Sequence, residues 1–464
     1  MTFFKDPNVQ GALYLFAFAC FIYGLHLMNH PRTARRGNGV AAVGMAVAVA
    51  ATLLGPGIGN WGLIVLGVVI GTVVGVPAAR NVKMTAMPQM VALFNGVGGG
   101  AVALIAWAEF RHAGGALPLD TAIPILFAAI IGSVSFWGSN IAFGKLQEIL
   151  PGRPIALPGQ QIINLLLLVI CIVCAVMIVA GNTSEWLFIA ILVAGALLGN
   201  MFVLPIGGAD MPVVISLLNA FTGLSAAAAG IALDNVALIV AGMIVGASGT
   251  ILTTQMAEAM NRSIANIFKG GFGGGGGAPA GGADMEGRTV RSTDAADVAI
   301  QLSYARKVVV APGYGMAVAQ AQHAVRELAS ELEKRGVEVA YAIHPVAGRM
   351  PGHMNVLLAE ADVPYDQLKE MEEINPEFAQ TDVTLVIGAN DVTNPAARED
   401  KGSPIYGMPI LDVDKSAAVI VLKRSMNSGF AGIDNPLFYA DNTSLLFGDA
   451  KDSVQAVTAE VQNL

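Results

Sequence analysis

Two glycines, Gly313 and Gly315, separate an apolar run from a helical pattern. The valine-rich residues 308–312 are typical of a buried strand, and the Ala- and Glu-rich stretch that follows, up to Gly336, is typical of a helix. Glycines at such a turn let the backbone approach a pyrophosphate, and the helix N-terminus offers it unpaired N–H groups. The stretch therefore predicts a dinucleotide-binding unit, although Val318 stands where a third glycine would complete the motif.

A basic pair, Lys423 and Arg424, follows a second apolar run and precedes Ser425 and a glycine-bearing loop. Two cations and a hydroxyl donor can hold a phosphate. The plainer alternative is a solvated basic pair at the end of a strand. Domains that select NAD carry an acidic residue after their second strand, whereas the predicted strand 337–343 is followed by His344. This combination favours NADP(H), whose 2′-phosphate requires cations.

Two more loops follow predicted strands. Residues 346–353 come after the strand 337–343, and residues 388–395 come after a strand that begins near Asp382. Their Gly, Asn, Asp and Thr residues could serve only as turn formers. Doubly wound sheets bind ligands at the carboxyl ends of their strands, so four such loops at one sheet edge predict a binding crevice.

The elements that must position these loops alternate between strand and helix patterns. Strands are predicted at 307–311, 337–343, 382–388, 408–412, 418–423 and 444–447. Helices are predicted at 315–335, 352–361, 365–373 and 449–462. The alternation predicts an α/β, Rossmann-like domain with a doubly wound parallel sheet.

The first half of the chain has a different composition. Only 13% of the 464 residues are charged, against about 25% in soluble domains. Residues 1–260 contain 9 of the 26 Lys and Arg and 8 of the 34 Asp and Glu, a net charge of +1, whereas residues 261–464 carry −9. No basic surface suited to nucleic acid is present. The contrast predicts a lipid bilayer as partner of the first half.

About nine membrane spans of roughly 20 apolar residues each are predicted. They lie near 8–29, 39–56, 61–79, 86–108, 121–144, 161–181, 185–205, 211–233 and 236–257. Glycines such as Gly96, Gly98, Gly99 and Gly100 suit close helix packing. With the N-terminus outside, nine Lys and Arg residues fall on the inner side and only Lys5 and Arg111 outside, which places the C-terminal domain in the cytoplasm.

These patterns divide the chain into a membrane domain (1–260), a glycine-rich segment (261–288) and a nucleotide-binding domain (289–464). Residues 269–282 could be read as a phosphate loop, but no strand precedes them, so a flexible linker is favoured. Cys171 and Cys174 have the spacing of a redox pair or of metal ligands. Their apolar neighbours favour simple helix packing, and no metal site is expected.

With these stretches in view, the sequence resembles the β subunit of the bacterial proton-translocating nicotinamide nucleotide transhydrogenases. The resemblance covers essentially the whole chain. It is carried by residues 313–322, 344–353, 388–395 and 423–432 in the soluble part, and by residues 206–214 and 260–263 in the membrane part.

The resemblance implies that this chain binds NADP(H) and conducts protons. A partner α subunit, either a single chain or split into a soluble and a membrane chain, binds NAD(H), and hydride passes from NADH to NADP⁺ as protons move inward. The family further implies the bacterial inner membrane and a dimer of the complex. The implied cofactor-binding residues are Gly313, Tyr314, Gly315, Met316, Val318, Val346, Ala347, Gly348, Arg349, Met350, Pro351, Gly388, Asn390, Asp391, Val392, Thr393, Asn394, Lys423, Arg424, Ser425, Met426, Asn427, Ser428, Gly429, Phe430, Ala431, Gly432, Asp449 and Ala450.

Among these residues, Asp391 is implied to couple proton binding to nucleotide release. The implied proton path includes Asn95, Ser139, Asp210 and Asn219. In two-subunit members of the family a histidine occupies the fourth span, where this chain has Asn95, and relatives often have tyrosine at the position of Phe430.

No histidine, Asp, Glu, Lys or Arg lies near the centre of a predicted span. A proton relay needs titratable or water-holding groups. The polar residues that the spans offer are Asn95, Ser139, Asn140, Asn164, Asn200 and Asn219. For Asn164 and Asn200, hydrogen bonding between packed helices is the favoured role. We hypothesise that a partner membrane subunit supplies a titratable residue, a histidine by preference.

Two other function classes have sequence requirements of their own. An ion channel or transporter regulated by a nucleotide-sensing domain would need a selectivity filter or a broken-helix substrate site. No such run is evident in the spans. A stand-alone membrane oxidoreductase would need haem, Fe–S or flavin ligands, and no such set is evident either.

Overall fold

In the part of the chain that the structure describes, nine helices are long and apolar enough to cross a membrane, and all of them lie before residue 260. The computed structural model describes residues 6–55, 58–83, 86–152, 154–207, 210–260, 289–350, 352–403, 405–427, 429 and 433–464. Within them, the membrane helices are α1 (Pro7–Met28), α2 (Pro31–Leu53), α3 (Trp61–Asn81), α4 (Met87–His112), α5 (Leu119–Leu146), α6 (Gln160–Val179), α7 (Glu185–Val203), α8 (Met211–Ala232) and α9 (Val236–Ala259). The predicted spans are confirmed. The predicted glycine-rich linker lies outside the described residues.

Helices α4 to α8 share a core of apolar side chains. In this core the rings of Phe110 and Phe188 stack with centroids 4.8 Å apart. Glycines bring the helices close together, as predicted. A Cβ atom added at Gly99 would lie 2.9 Å from the carbonyl oxygen of Gly132, and one at Gly100 would lie 2.8 Å from the Phe136 ring. Larger residues at these positions would push α4 away from α5.

The second unit is built on one parallel sheet. Its strands are β1 (Lys307–Pro312), β2 (Glu338–Ile343), β3 (Leu368–Glu370), β4 (Val383–Ile387), β5 (Ala418–Lys423) and β6 (Thr443–Phe447), in the order β3-β2-β1-β4-β5-β6. All neighbouring strands are parallel. Strands β1, β2 and β4 are buried almost throughout, as expected where both faces of a sheet are covered. The predicted doubly wound, Rossmann-like fold is confirmed.

Helices and turns cover the two faces of the sheet. The helices are α10 (Ala295–Ser303), α11 (Tyr314–Val318), α12 (Gln322–Lys334), α13 (His353–Glu360), α14 (Met371–Ile374), α15 (Ala396–Glu399) and α16 (Ala450–Asn463). Helix α16 packs against both α10 and α12. A core that includes Phe378, Leu411, Leu437 and Phe438 lies against alternate residues of β1, β2, β4 and β5. All members of this core belong to residues 290–464.

Three of the predicted elements differ in the structure. The predicted helix 365–373 is wrong, because Tyr365–Gln367 forms a 3-10 turn and Leu368–Glu370 pairs with β2 as an edge strand. The predicted strand 408–412 is also wrong. Its apolar residues are buried without strand pairing, and Leu411 donates its N–H to the carbonyl of Val392 at 2.9 Å. The predicted helix 315–335 is interrupted at Gln320, whose φ of +51° ends α11.

Candidate functional site

The predicted loops lie together at the carboxyl edge of the sheet. Because every strand is parallel, the loops after β1, β2, β4, β5 and β6 all leave from this edge. The strand order reverses between β1 and β4, and doubly wound sheets bind ligands outside such a switch point. Three strand spacings, about 14 Å in all, separate the β2 loop from the β5 loop. That span suits an extended ligand such as a dinucleotide.

The β1 and β4 loops contact each other through glycine backbone. Gly313 donates its N–H to the carbonyl of Ile387, and Gly315 donates to that of Gly388, both at 2.9 Å. A Cβ atom added at Gly315 would lie 2.6 Å from the Cα of Gly388, and one added at Gly313 would overlap Ala389. Glycine is therefore required at both positions because any side chain would clash with the β4 loop. The sequence interpretation had assigned them only to the approach of a phosphate.

Helix α11, which follows the β1 loop, has five residues. It is shorter than the sequence predicted, so it offers much less helix dipole than a continuous helix would. In this helix Met316 is fully buried and Val318 is half exposed. The β1 loop can therefore contribute its backbone and the ring of Tyr314 to a ligand site.

The β2 loop is wrapped around two buried histidines. His344 accepts the N–H of Val346 at its Nδ1 atom (3.2 Å), and its Nε2 therefore donates to the carbonyl of Pro409 (2.8 Å). His353 accepts the N–H of Arg349 at Nδ1 (3.0 Å). Burial lowers the pKa of each imidazole to about 4, and Arg349 adds to the effect at His353. Both rings are neutral at pH 7 and hold the loop in shape.

Gly348 and Arg349 complete the connection between the β2 and β1 loops. Gly348 has a φ of +107°, and a Cβ atom added there would lie 2.6 Å from the Cβ of His353. The guanidinium carbon of Arg349 lies 4.2 Å from the centre of the Tyr314 ring, which is a close cation–π contact. Ala347 is buried, Val346 and Met350 are half-buried, and Pro351 lies outside the described residues.

The β4 loop brings Asn390 and Asp391 to the same edge, where the β5 loop approaches them. A Cβ atom added at Gly429 would lie 2.6 Å from Oδ1 of Asp391 and 2.8 Å from Nδ2 of Asn390. The hydroxyl of Thr393 donates to the carbonyl of Asn390 at 3.0 Å. Val392 is half-buried, whereas Thr393 and Asn394 are buried and belong to the framework of the loop.

The basic pair at the end of β5 is structured. Lys423 donates to the carbonyl of Asn427 at 2.7 Å, and its ammonium lies 4.5 Å from the centre of the Phe438 ring. Burial lowers the pKa of Lys423, while the carboxylates of Asp391 and Asp434 oppose that shift. Ser425, exposed like Asn427, lies beside it, and Met426 is half-buried.

Arg424 forms an ion pair with Asp449 at 2.6 Å. Both side chains are substantially exposed, so the pair is worth at most about 1 kcal/mol and an incoming phosphate can replace it. Asp449 also accepts the N–H of Lys451 and caps α16, which begins at the buried Ala450. Four predicted residues of the β5 loop lie outside the described residues: Ser428, Phe430, Ala431 and Gly432.

The residues fit a 2′-phosphate. A lysine has three N–H donors and an arginine five, and the contacts of the described residues engage only some of them. The backbone of Gly429 lies directly against the Asn390–Asp391 pair, with no space for a Cβ atom between them. The β2 strand is followed by the neutral His344, so no carboxylate repels a phosphate there.

In the membrane unit a chain of polar side chains crosses α4, α5 and α8. Asn95 donates to Ser139 at 2.9 Å and to Ser135 at 3.4 Å. Ser135 lies 2.6 Å from the hydroxyl of Thr222 and 2.9 Å from the carbonyl of Leu218. Ser135 and Thr222 were not predicted. A polar side chain facing a neighbouring span is the signal that could have identified them.

The other predicted proton-path residues lie on or beside α8. Asp210 immediately precedes α8, and Asn219 stands one turn before Thr222. The Oδ1 atom of Asn95 is buried and has no hydrogen-bond partner among the described residues. An acceptor that is buried in this way costs about 1–3 kcal/mol unless water or another chain reaches it.

Among the described residues, no three His, Cys, Asp or Glu side chains form a cluster that could hold a metal ion. Cys171 and Cys174 are buried free thiols within α6. Cys171 points its sulfur at the carbonyl of Ile191 on α7, 3.8 Å away. The packing role that the sequence favoured for them agrees with this contact.

Known proteins are similar to this chain over nearly its whole length. The family model described as "NAD(P) transhydrogenase beta subunit" matches residues 10–460. Two relatives from Rhodospirillum rubrum, one of them from a specified strain, are named "NAD(P) transhydrogenase subunit beta". Each is 48% identical over 457 residues, which cover 97% of this chain and 98% of the relative.

Proposed function

The chain belongs to the NAD(P) transhydrogenase beta subunit family, and on that basis we propose that it provides the NADP(H) site and part of the proton path of its enzyme. The chain is a membrane-protein component of a transhydrogenase, which acts on nicotinamide nucleotides. The family name implies an alpha subunit as partner. In our proposal that partner binds NAD(H), and hydride moves from NADH to NADP⁺ as protons move inward.

The observation that carries the NADP(H) assignment is the cation pair at the end of β5. Lys423 contacts the carbonyl of Asn427 and the ring of Phe438. Arg424 forms an exposed ion pair with Asp449, which a phosphate could replace. In NAD-selective domains an acidic side chain after the second strand binds the ribose hydroxyl. Here that place is taken by a buried, neutral histidine. Lys423, Arg424 and Ser425 would hold the 2′-phosphate.

The remaining loops would orient the rest of the cofactor. The backbone of residues 313–316 would face the pyrophosphate, while Arg349, Asn390 and Asp391 would flank the nucleotide. When bound, the nicotinamide supplies the hydride chemistry, so the chain needs no acid–base triad of its own. Its task is to position the nucleotide and to change nucleotide affinity, for which Asp391 is the candidate coupling group.

The polar chain from Asn95 to Thr222 is our candidate for part of the proton path, together with Asp210 and Asn219. Amides and hydroxyls can hold water and pass a hydrogen bond but do not titrate near pH 7. We therefore infer that the alpha subunit supplies a titratable residue, preferably a histidine.

The topology that we propose follows the charge bias of the sequence. The N-terminus lies outside, and residues 289–464 lie in the cytoplasm of a bacterium, beneath its inner membrane. Residues 1–260 form the membrane domain, residues 261–288 join the two, and the complex is a dimer.

The nucleotide assignment is tested with a fragment of residues 283–464. We expect it to bind NADPH at least about 100-fold more tightly than NADH, measured by cofactor fluorescence. Lys423→Gln should remove most of that preference, whereas Lys401→Gln, at an exposed lysine outside the predicted loops, should leave it intact. Equal affinity of the unmodified fragment for NADPH and NADH would overturn the assignment.

The proton path is tested in liposomes. We expect the chain alone to conduct protons far more slowly than the complex with its alpha subunit, because a titratable relay group is missing. A dye-based measurement of internal pH would show this difference. Equal rates for the chain alone and for the complex would rule out a proton carrier supplied by the partner.

A further inference from the structure

The turn that follows the β5 loop, residues Pro436–Tyr439, begins at Asn435. Asn435 is almost fully buried, with 1% of its surface exposed. Its Nδ2 atom donates to both the carbonyl oxygen and the side-chain oxygen of Asn390, at 3.1 and 3.2 Å. Its Oδ1 atom accepts the N–H of Leu437 at 3.0 Å. The amide of Asn435 thus caps the turn and also forms two hydrogen bonds to Asn390, the residue next to Asp391.

A second buried asparagine makes the reverse connection. The side chain of Asn394 donates to the carbonyl of Asp434 at 3.1 Å and accepts the N–H of Ala396 at 3.0 Å. Asn394 is fully buried. A buried amide that loses its hydrogen-bond partner is destabilising, because its polar atoms no longer have water to compensate for the loss. The two asparagines therefore keep the β4 loop and the turn in a single arrangement.

The other end of the turn supports the basic pair. Phe438 is 3% exposed, and its ring lies 4.5 Å from the ammonium of Lys423. A cation over an aromatic face is attracted by the ring, and the attraction is stronger where water is excluded. Since Lys423 also donates to the carbonyl of Asn427, its ammonium is held on two sides.

We propose that the turn Asn435–Tyr439 is a positioning element for both halves of the nucleotide site. Asn435 sets the orientation of Asn390 and thereby places Asp391, and Phe438 sets the position of the Lys423 ammonium. Phe438 therefore determines selectivity for a 2′-phosphate, whereas Asn435 acts on the nucleotide as a whole. The proposal rests on the proposed NADP(H) site.

The role of Phe438 is tested by a double-mutant cycle with Lys423. Full-length chain in detergent is titrated with NADPH and with NADH. We expect Phe438→Leu to weaken NADPH binding about 3- to 10-fold and NADH binding less than about 2-fold. In a Lys423→Gln background the same change should weaken NADPH binding less than about 2-fold, because the cation is already gone.

The matched control for Phe438 is Phe378→Leu, in the same core but with no ring contact to Lys423. It should lower thermal stability without changing NADPH affinity. Equal losses from Phe438→Leu in both lysine backgrounds would overturn the role of Phe438. A wild-type chain without any NADPH preference would instead overturn the proposed function, so the two failures are distinguishable.

The role of Asn435 is tested with Asn435→Asp, which keeps the acceptor for Leu437 but turns an oxygen towards two oxygens of Asn390. We expect the KM of the complex for NADP⁺, the substrate in the proposed direction, to rise about 10-fold, with a smaller change in kcat. Asn442→Asp is the matched control, because its amide likewise donates to two carbonyls, those of Asp414 and Ser416, before β6 begins. It should leave the KM unchanged. A similar KM for both variants would refute positioning by Asn435.

Discussion

Replacing Gly388 with alanine tests whether the contact between the β1 and β4 loops is as tight as the structure indicates. Gly388 has a φ of +65°, and an added Cβ atom would lie 2.5 Å from the N of Met316. The left-handed backbone costs an alanine about 1–2 kcal/mol, and overpacking adds about 1–3 kcal/mol. We expect a total loss of about 2–5 kcal/mol in the free energy of unfolding.

Gly352 provides a control with the same backbone. Its φ is +66°, and nothing lies within 4 Å of an added Cβ atom. Gly352→Ala should therefore cost only the backbone term, about 1–2 kcal/mol. The effect of alanine on the unfolded chain applies to both variants and cancels in the comparison. The difference, about 1–3 kcal/mol, isolates the overlap between the two loops.

The assay is urea unfolding of residues 289–464, followed by circular dichroism because all four tryptophans lie in the membrane part. With an m-value of about 2 kcal/mol/M, Gly388→Ala should unfold at a urea midpoint roughly 1 M below that of Gly352→Ala. NADPH binding should weaken in the first variant as the β1 loop is displaced. Identical midpoints would show that the two loops can move apart without loss of stability. The close contact between them would then make no measurable contribution to the free energy of unfolding.

Three further outcomes are expected. The domain should lose stability as pH falls from 6.5 towards 4, by up to about 3 kcal/mol for each of His344 and His353, because the unfolded imidazoles take up protons that the buried ones refuse; urea midpoints that stay constant over that range would contradict this. Ser135→Ala and Thr222→Val should slow proton-coupled hydride transfer in vesicles at least several-fold while leaving NADPH affinity unchanged, and an unaltered coupled rate would exclude both from the path. Arg349→Lys should weaken NADPH binding about 3- to 10-fold in a titration, since lysine lacks the planar group that stacks on the tyrosine ring; wild-type affinity would show that the stacking is dispensable.

Much of the architecture was predictable because it depends on local composition. A membrane span needs about 20 consecutive apolar residues, and the nine predicted spans are confirmed. Buried parallel strands are short β-branched runs, and five of the six observed strands were predicted near their observed bounds. The failures were non-local: β3 is a strand only because β2 lies beside it, and residues 408–412 are buried without pairing.

The sequence by itself determined the two-part organisation, and it predicted the residue types of the proposed phosphate site and the proposed preference for NADP(H). Composition, glycine spacing and the Lys423–Arg424 pair are all readable along the chain. Only the tertiary structure decided why Gly315 must be glycine, which is contact with Gly388. It also decided that Asn435 and Phe438 support Asn390 and Lys423. The physical reason is that a buried amide or ring acts on whichever residue the fold places beside it, and the sheet order brings together segments that are far apart in sequence.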